Sequence, residues 1–371
     1  IASLAASKTS YGDIQAFWDP GPPPPNYIHR RGDYQTPGSE LEPGVIAVLD
    51  DPANPFKLPQ TTDGDPVNGY RGALARWLTR PDHPLTARVI VNRVWQHYFG
   101  RGIVATPENF GASGMLPTHP ELLDWLATEF VESGWSFKHL HRIILNSSAY
   151  RQASHLSGED HGFAADPYVV DAENLLLWHM PLRRLDSEIV RDRVLAASGM
   201  LNGIPGGPPV PLKPLPDGSV EIDVEKLATP DDQYRRSIYI FARRNYQLTE
   251  MSVFDQPKIS HNCTCRTSSA VVLQSLTMLN GKFLLEQSEK LAERVRAASA
   301  ADDAARVNCA FRIALCREAT PEERAAGRRL LDDQRSHYET DEKLDPNAAA
   351  AAALTDLCQM LLNSNEFLYV N

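Results

Sequence analysis

Four polar side chains on one predicted helix are the first candidates for chemistry. In the stretch PLTARVIVNRVWQHYFG, residues 84–100, Arg88 and Asn92 lie four residues apart, and Arg93 and His97 have the same spacing. Residues four apart share a face of a helix, so each pair is predicted to point in one direction. Arginine fixes an anion or a sugar hydroxyl, and histidine supplies an acid or base near neutral pH. One interpretation is therefore an enzyme site on this helix.

The same helix is also apolar enough to belong to a core. We expect it to be buried on nearly every side, and a buried charge needs a partner. The following segment, residues 102–135, holds five acids and no lysine or arginine, and Glu121, Asp124 and Glu129 are the candidate partners. The second interpretation is thus a polar network inside the protein. It leaves His97 without an assigned partner.

A second constellation is the segment HNCTC, in which His261, Cys263 and Cys265 are metal-capable. Alternate residues of an extended strand share one side, so the three side chains can converge. Structural zinc sites usually add a second ligand pair, and none lies nearby in the sequence. A disulfide to a downstream cysteine and plain thiols are the alternatives. The downstream cysteines are Cys309 and Cys316, predicted to be small core residues, and Cys358.

The remaining motifs and the composition exclude several functions. The acidic pairs at 50–51, 63–65 and 231–232 lack the spaced carboxylates of a calcium loop and are predicted to be solvated turns. No nucleophile elbow, Walker loop or dinucleotide fingerprint occurs. A formal charge of −10 argues against a general nucleic-acid or anionic-membrane binder. The sequence contains no run of eighteen apolar residues, so no membrane-spanning helix is predicted.

The elements that must position these residues are mainly helices. We predict an extended, Pro/Gly-rich arm over residues 1–69 and a multi-helix globular domain over 70–371. An irregular loop near 202–218 and a small β-hairpin or sheet near 219–242 interrupt that domain, with strands expected at 220–224 and 236–242. Capping-box patterns beginning at Thr118 and Thr320 predict helix starts. The apolar segment 367–370 is expected to dock on the body of the domain.

Long runs of the sequence resemble a known family. They are ARVIVNRVWQHYFGRGIVATPENFGASGMLPTHPELLDWLATEFVESGWSFKHLHRIILNSSAYRQAS, RRLDSEIVRDRVLAASGMLN, RRSIYIFARRN, FDQP, LQSLTMLN and LLNSNEFLYVN. These runs look like the C-terminal domain of unknown function in large planctomycete multidomain proteins, which often carry a cytochrome-c-like domain upstream. The resemblance spans roughly residues 33–371 and supplies no catalytic residues.

The resemblance implies an exported protein, periplasmic, in the cell envelope or secreted, and residue 1 lying inside a longer precursor. We expect a structural or binding module that packs on the upstream domains or fragments of that precursor, and other envelope proteins or polysaccharide are further candidate partners. The alternative is an enzyme acting on envelope or algal polysaccharide with a site near Arg93 and His97. No cofactor is predicted in this chain, because the haem motif C-x-x-C-H does not occur in it. Haem is expected only in an upstream domain.

Overall fold

The computed structural model describes residues 25–58, 69–155, 165–258, 263–299 and 302–370. Within these residues the chain forms thirteen α-helices and three small two-stranded antiparallel sheets. The prediction of a mainly α fold with a minor β element is confirmed. None of the described helices combines the length and the apolar composition needed to cross a bilayer. The chain divides into two compact units, residues 1–146 and 147–371.

The first unit combines an exposed hairpin with four helices. The strands β1 and β2 pair antiparallel, and nearly all of their residues are exposed. Each helix contributes a buried apolar face, and a loop over residues 100–119 separates α2 from α3. The bounds are β1 Asn26–His29, β2 Pro37–Leu41, α1 Tyr70–Leu78, α2 Thr86–Phe99, α3 Pro120–Glu132 and α4 Phe137–Asn146.

Asp50 anchors the extended segment of this unit to α1. Its carboxylate accepts hydrogen bonds from the indole N–H of Trp77 at 2.9 Å, from Arg80 at 3.3 Å and from the backbone N–H of Phe56 at 2.8 Å. The bond from Phe56 is the largest cause that lowers the pKa of Asp50. The prediction of a solvated turn was therefore wrong for Asp50, because its carboxylate is hydrogen-bonded by these protein donors. The acids at 63–65 lie outside the described residues.

The second unit holds the larger helical core. Its long helices surround fully buried side chains that include Leu291, Val307 and Leu357. Phe367 is also fully buried, and β6 pairs with β3, so the segment 367–370 docks on the body as predicted. The bounds are α5 Pro167–Val170, β3 Arg183–Arg184, α6 Ser187–Ser198, β4 Leu212–Pro214, β5 Val220–Ile222, α7 Thr249–Val253, α8 Val272–Asn280, α9 Lys282–Ala298, α10 Asp303–Leu315, α11 Pro321–Thr340, α12 Pro346–Leu362, α13 Asn365–Leu368 and β6 Tyr369–Val370.

The small β element differs in detail from the expectation. The strand expected at 220–224 is present as β5, but its partner β4 lies inside the stretch predicted to be irregular. The strand expected at 236–242 is a 3-10 turn at Ser237–Tyr239 instead. The backbone N–H and the hydroxyl of Ser237 both donate to Asp192 on α6, each at 2.7 Å. This side-chain acceptor holds the turn on α6, and the residues on either side of Ile240 bond the backbone of Val210 in an isolated bridge.

A buried arginine joins α6 to the same turn. Arg191 is 5% exposed and donates to the carbonyl oxygens of Gln233 and Arg235 at 2.7 and 2.9 Å. Desolvation lowers the pKa of Arg191 to about 10. The guanidinium therefore stays charged near neutral pH and supplies hydrogen-bond donors to these two carbonyl oxygens.

The two capping-box patterns behave differently. At Thr320 the box is complete, because the Thr320 hydroxyl accepts from the backbone N–H of Glu323 and the Glu323 carboxylate accepts from that of Thr320. At Thr118 the helix starts as expected, but Thr118 is not the cap. Proline favours the first helical position, so Pro120 shifts the cap to His119, and the Thr118 hydroxyl bonds the Ile103 carbonyl instead.

Arg317 clamps α11 to α13 through two carboxylates. It donates to Glu323 at 2.7 and 2.8 Å and to Glu366 at 2.6 Å twice. The bond from Arg317 lowers the pKa of Glu323 to about 2. A carboxylate whose pKa is lower in the folded than in the unfolded protein contributes stability above the unfolded pKa. That contribution is lost as the pH falls toward 2.

We predict that replacing Glu323 with glutamine lowers the free energy of unfolding at pH 7, since the amide keeps the capping bond but loses the charge. The difference from the wild type should shrink as the pH falls from about 4.5, the ordinary glutamate value, toward 2. Urea unfolding at several pH values measures it. Glu322→Gln, an exposed first-turn neighbour, is the control. A difference independent of pH would contradict the assignment.

Candidate functional site

The structure separates the four candidates on α2 into two faces. Arg88 is half-buried, and its Nε donates to Asp124 on α3 at 2.6 Å while its Nη1 donates to the Pro84 carbonyl at 2.7 Å. Asp124 is one of the partners that the second interpretation named. Both side chains remain partly in water, with exposed fractions of 36% and 59%, so this pair contributes little to stability by itself.

Asn92 is fully buried and binds the backbone that follows α2. Its Nδ2 donates to the Val104 carbonyl at 2.9 Å, and its Oδ1 accepts from the Val104 backbone N–H at 2.8 Å. The approach is close enough that a Cβ on Gly102 would lie 2.6 Å from the Asn92 amide nitrogen. Asn92 therefore has a structural role in fixing the loop after the helix, and Gly102 makes room for it.

Arg93 and His97 lie on the exposed face of α2. The expectation that the helix is buried on nearly every side was wrong, because Val91 and Trp95 face inward and the helical period turns positions 93 and 97 away from them. The two side chains share a face, as their spacing predicted. An enzyme site at these residues stays a prediction.

The cysteine-rich segment is described only in part, because His261 lies outside the described residues. Cys263 and Cys265 are exposed free thiols, and the Cys263 Sγ lies 3.3 Å from the Cys265 carbonyl oxygen. In the part of the chain that the structure describes, no three metal-binding side chains converge. The metal set His261, Cys263 and Cys265 stays a prediction. Cys316, expected in the core, is exposed instead because it caps α10.

The helix α8 shows a feature that the sequence patterns did not reveal. Its apolar residues point into water, and the exposed fractions are 75% for Val272, 57% for Leu273, 47% for Leu276 and 46% for Leu279. We call these four residues the α8 face. Positions 273, 276 and 279 follow one another at intervals of three, and 272 lies four before 276, so all four fall on one side of the helix. The buried side holds Met278 and the polar Gln274, so α8 reverses the usual arrangement of an amphipathic helix.

Gln274 explains this reversal. It is only 6% exposed, and its amide nitrogen donates to the Val253 carbonyl at 3.1 Å and to the Ser269 hydroxyl at 3.2 Å. A buried amide without such partners would be strongly unfavourable. Because these acceptors lie under α8, the helix can rotate its leucines inward only by breaking both bonds. Gln274 thus fixes which side of α8 faces water.

The acceptors themselves are organised by Asp255, which follows α7 with a left-handed backbone, φ 62°. Its carboxylate accepts from the Ser269 backbone N–H at 2.8 Å, from the Ser269 hydroxyl at 2.8 Å and from Arg184 at 2.6 Å. Desolvation raises the pKa of Asp255, but the bonds from Ser269 and Arg184 together lower it below its ordinary value. The charged carboxylate therefore holds the segment that leads into α8.

Comparison with known proteins places most of the chain in one family. A family model described as PSD1, a protein of unknown function (DUF1553), matches residues 70–331, more than half of the chain. The chain belongs to the PSD1 family. No curated protein and no solved structure matches it. The match covers α2, the Asp255 anchor and the whole of α8, so each of these features lies within the family domain.

We predict that Asn92→Ala lowers the free energy of unfolding of this PSD1 protein by about 2–4 kcal/mol, because it leaves the buried N–H and carbonyl of Val104 without partners. Arg93→Ala on the exposed face of the same helix is the control and should change it by less than about 0.5 kcal/mol. Urea unfolding measures both. Equal effects of the two substitutions would contradict a structural role for Asn92.

We predict that Gln274→Leu destabilises the protein by about 1–3 kcal/mol even though it adds an apolar side chain to a buried position, since the Val253 carbonyl loses its donor. Ser275→Leu, on the exposed side of α8, adds a comparable apolar side chain without this loss and is the matched control. Thermal and urea unfolding compare the two variants. A Gln274→Leu protein as stable as the wild type would show that hydrogen bonding does not orient α8.

Proposed function

We propose that this PSD1 protein is a binding and assembly module that docks through the α8 face on another protein domain. The observation that carries the proposal is the outward orientation of Val272, Leu273, Leu276 and Leu279 on one helix. Contiguous exposed apolar surface is typical of protein–protein interaction sites. Scattered exposed apolar residues need no explanation, but a valine and three leucines on one face of a single helix do.

Exposed apolar residues also occur just before and just after α8 in the sequence, and polar residues fix the orientation of the helix. Val271 before the helix and Leu285 on α9 are 48% and 41% exposed. Gln274 and Asp255 hold the helix in this orientation before any partner arrives. Docking then requires little ordering of the α8 face, and a rigid surface loses less free energy on binding than a mobile one. The geometry thus favours a preformed binding surface.

The partner that we propose is a further domain of the same precursor. The support is the resemblance to planctomycete multidomain proteins, in which this module accompanies other domains, including a cytochrome-c-like one. We propose on the same ground that the protein is exported and that any haem belongs to that other domain. A helix packed on a neighbouring domain would bury its leucines, as helix-in-groove interfaces do.

The proposal is tested by photo-crosslinking in the complete precursor. Leu276 is replaced by p-benzoylphenylalanine, and the crosslinked peptides are sequenced by mass spectrometry. Ile238, which is 74% exposed in the same unit, carries the same probe as the matched control. We expect crosslinks from position 276 to another domain of the precursor and none from position 238. Crosslinks from both positions alike, or from 276 only to a second copy of the α8 face, would overturn the proposal.

A charge-introducing variant gives a second test. Leu276→Asp with Leu279→Asp should weaken the association of this module with the neighbouring domain by at least about tenfold, as expected when central apolar contacts of an interface are removed. Ile238→Asp is the control and should leave the association within about twofold. The affinity is measured by calorimetry on the two separately purified pieces. Unchanged binding by the double variant would contradict docking through α8.

A further inference from the structure

A cavity of about 580 Å³ in the second unit is lined by three arginines and by no acid. It lies among α6, α9, α10 and α13, with Arg193, Arg294 and Arg312 contributed by the first three helices. Small-molecule sites in proteins typically measure ~300–1,000 Å³. The chain as a whole carries a formal charge of −10. The three arginines therefore form a locally positive site on a protein that is negatively charged overall.

One nitrogen of the Arg294 guanidinium is hydrogen-bonded to the backbone in the wall of the cavity. Its Nη1 donates to the carbonyl oxygens of Ala196 and Ala197 at 2.8 and 2.7 Å, at the C-terminal end of α6. These bonds fix the side chain on the negative end of the helix dipole. Among the described residues its Nε and Nη2 have no hydrogen-bond acceptor, so these donors remain available to a ligand.

Arg193 is positioned by an aromatic ring rather than by an acid. Its guanidinium carbon lies 4.7 Å from the centre of the Phe367 ring, in the range of a cation–π contact. In the described part of the chain, neither Arg193 nor Arg312 has a carboxylate within 4.0 Å. The stacked guanidinium keeps its N–H edges free, and a planar fork of this kind matches the oxygens of an oxyanion.

Acids close in sequence to residues of the cavity are engaged elsewhere, and Glu293, next to Arg294, pairs with Lys290 at 3.0 Å. Glu323 and Glu366 are both engaged by Arg317, and Asp192 accepts from Ser237 at 2.7 Å. The arginines of the cavity therefore keep a positive charge that no internal partner of the described residues neutralises. A positive, partly enclosed cleft concentrates anions.

We propose that this cavity binds a small organic phosphate monoester. Three guanidinium groups suit a doubly charged group, and arginine forks bind phosphate through paired hydrogen bonds. The alanines of the wall and Phe367 offer apolar surface to the organic part. This inference is independent of docking through the α8 face, since none of the four residues of that face lines the cavity.

Calorimetric titration of the complete chain with glycerol 3-phosphate tests the proposal, with sulfate and acetate as competing anions. We expect glycerol 3-phosphate to bind more tightly than either. Arg193→Gln and Arg312→Gln should each weaken it by about tenfold, the effect of losing one charge-assisted hydrogen bond. Arg296→Gln removes an exposed charge from α9 and should stay within about twofold. An equal loss in Arg296→Gln, or tighter binding of acetate or sulfate, would overturn the proposal.

A cysteine on the cavity wall allows a second test that needs no substitution. Cys316 is an exposed free thiol on the cavity wall, whereas Cys263 and Cys265 are exposed free thiols that do not line it. Bound glycerol 3-phosphate should slow the alkylation of Cys316 by iodoacetamide and leave the other two unchanged, as measured by peptide mass spectrometry. Equal slowing at all three thiols, or none at Cys316, would contradict binding in this cavity.

Discussion

The carboxylate of Asp255 is the constraint on which the presentation of α8 depends. A single charged group receives donors from the segment before α8 and from Arg184 on β3. Charge-assisted hydrogen bonds in a partly desolvated site are stronger than those between neutral groups. Residues 71 and 14 positions away from Asp255 in the sequence therefore meet at its carboxylate, and the orientation of α8 follows from these contacts.

The reversed helix illustrates a compromise between stability and binding. Turning the four apolar residues of α8 inward would bury more hydrocarbon, and the folded domain forgoes that stabilisation. The polar anchor at Gln274 compensates only locally. A protein selected for stability alone would not keep this arrangement. The arrangement is consistent with a module whose stability is completed by a partner, because a bound partner stabilises the state that it binds.

The helical fold could be predicted from the sequence, whereas the α8 face that we propose as a binding surface could not. Periodicity and the complete capping box at Thr320 report on neighbours a few residues apart, so they located the helices well. The inward face of α8 was not predictable, because Gln274 donates to the Val253 carbonyl, 21 residues away in the sequence, and to a Ser269 hydroxyl that Asp255 fixes from 14 residues away. The 3-10 turn at Ser237–Tyr239 was not predicted for the same reason, since the backbone N–H of Ser237 donates to Asp192, 45 residues earlier in the sequence. Likewise Arg193, Arg294 and Arg312 are far apart in sequence, and only the packing of three helices brings them to one cavity.

The pairing of β3 with β6 has a consequence for synthesis of the protein. The backbone N–H of Leu185 bonds the carbonyl of Leu368, so an early part of the second unit is completed by its last described helix. Contacts between such distant residues form slowly, because a long loop must close first. The nascent chain must therefore hold an incomplete core, with the site of Phe367 open, until the segment 365–370 has emerged. During that interval the unit exposes apolar surface that favours aggregation.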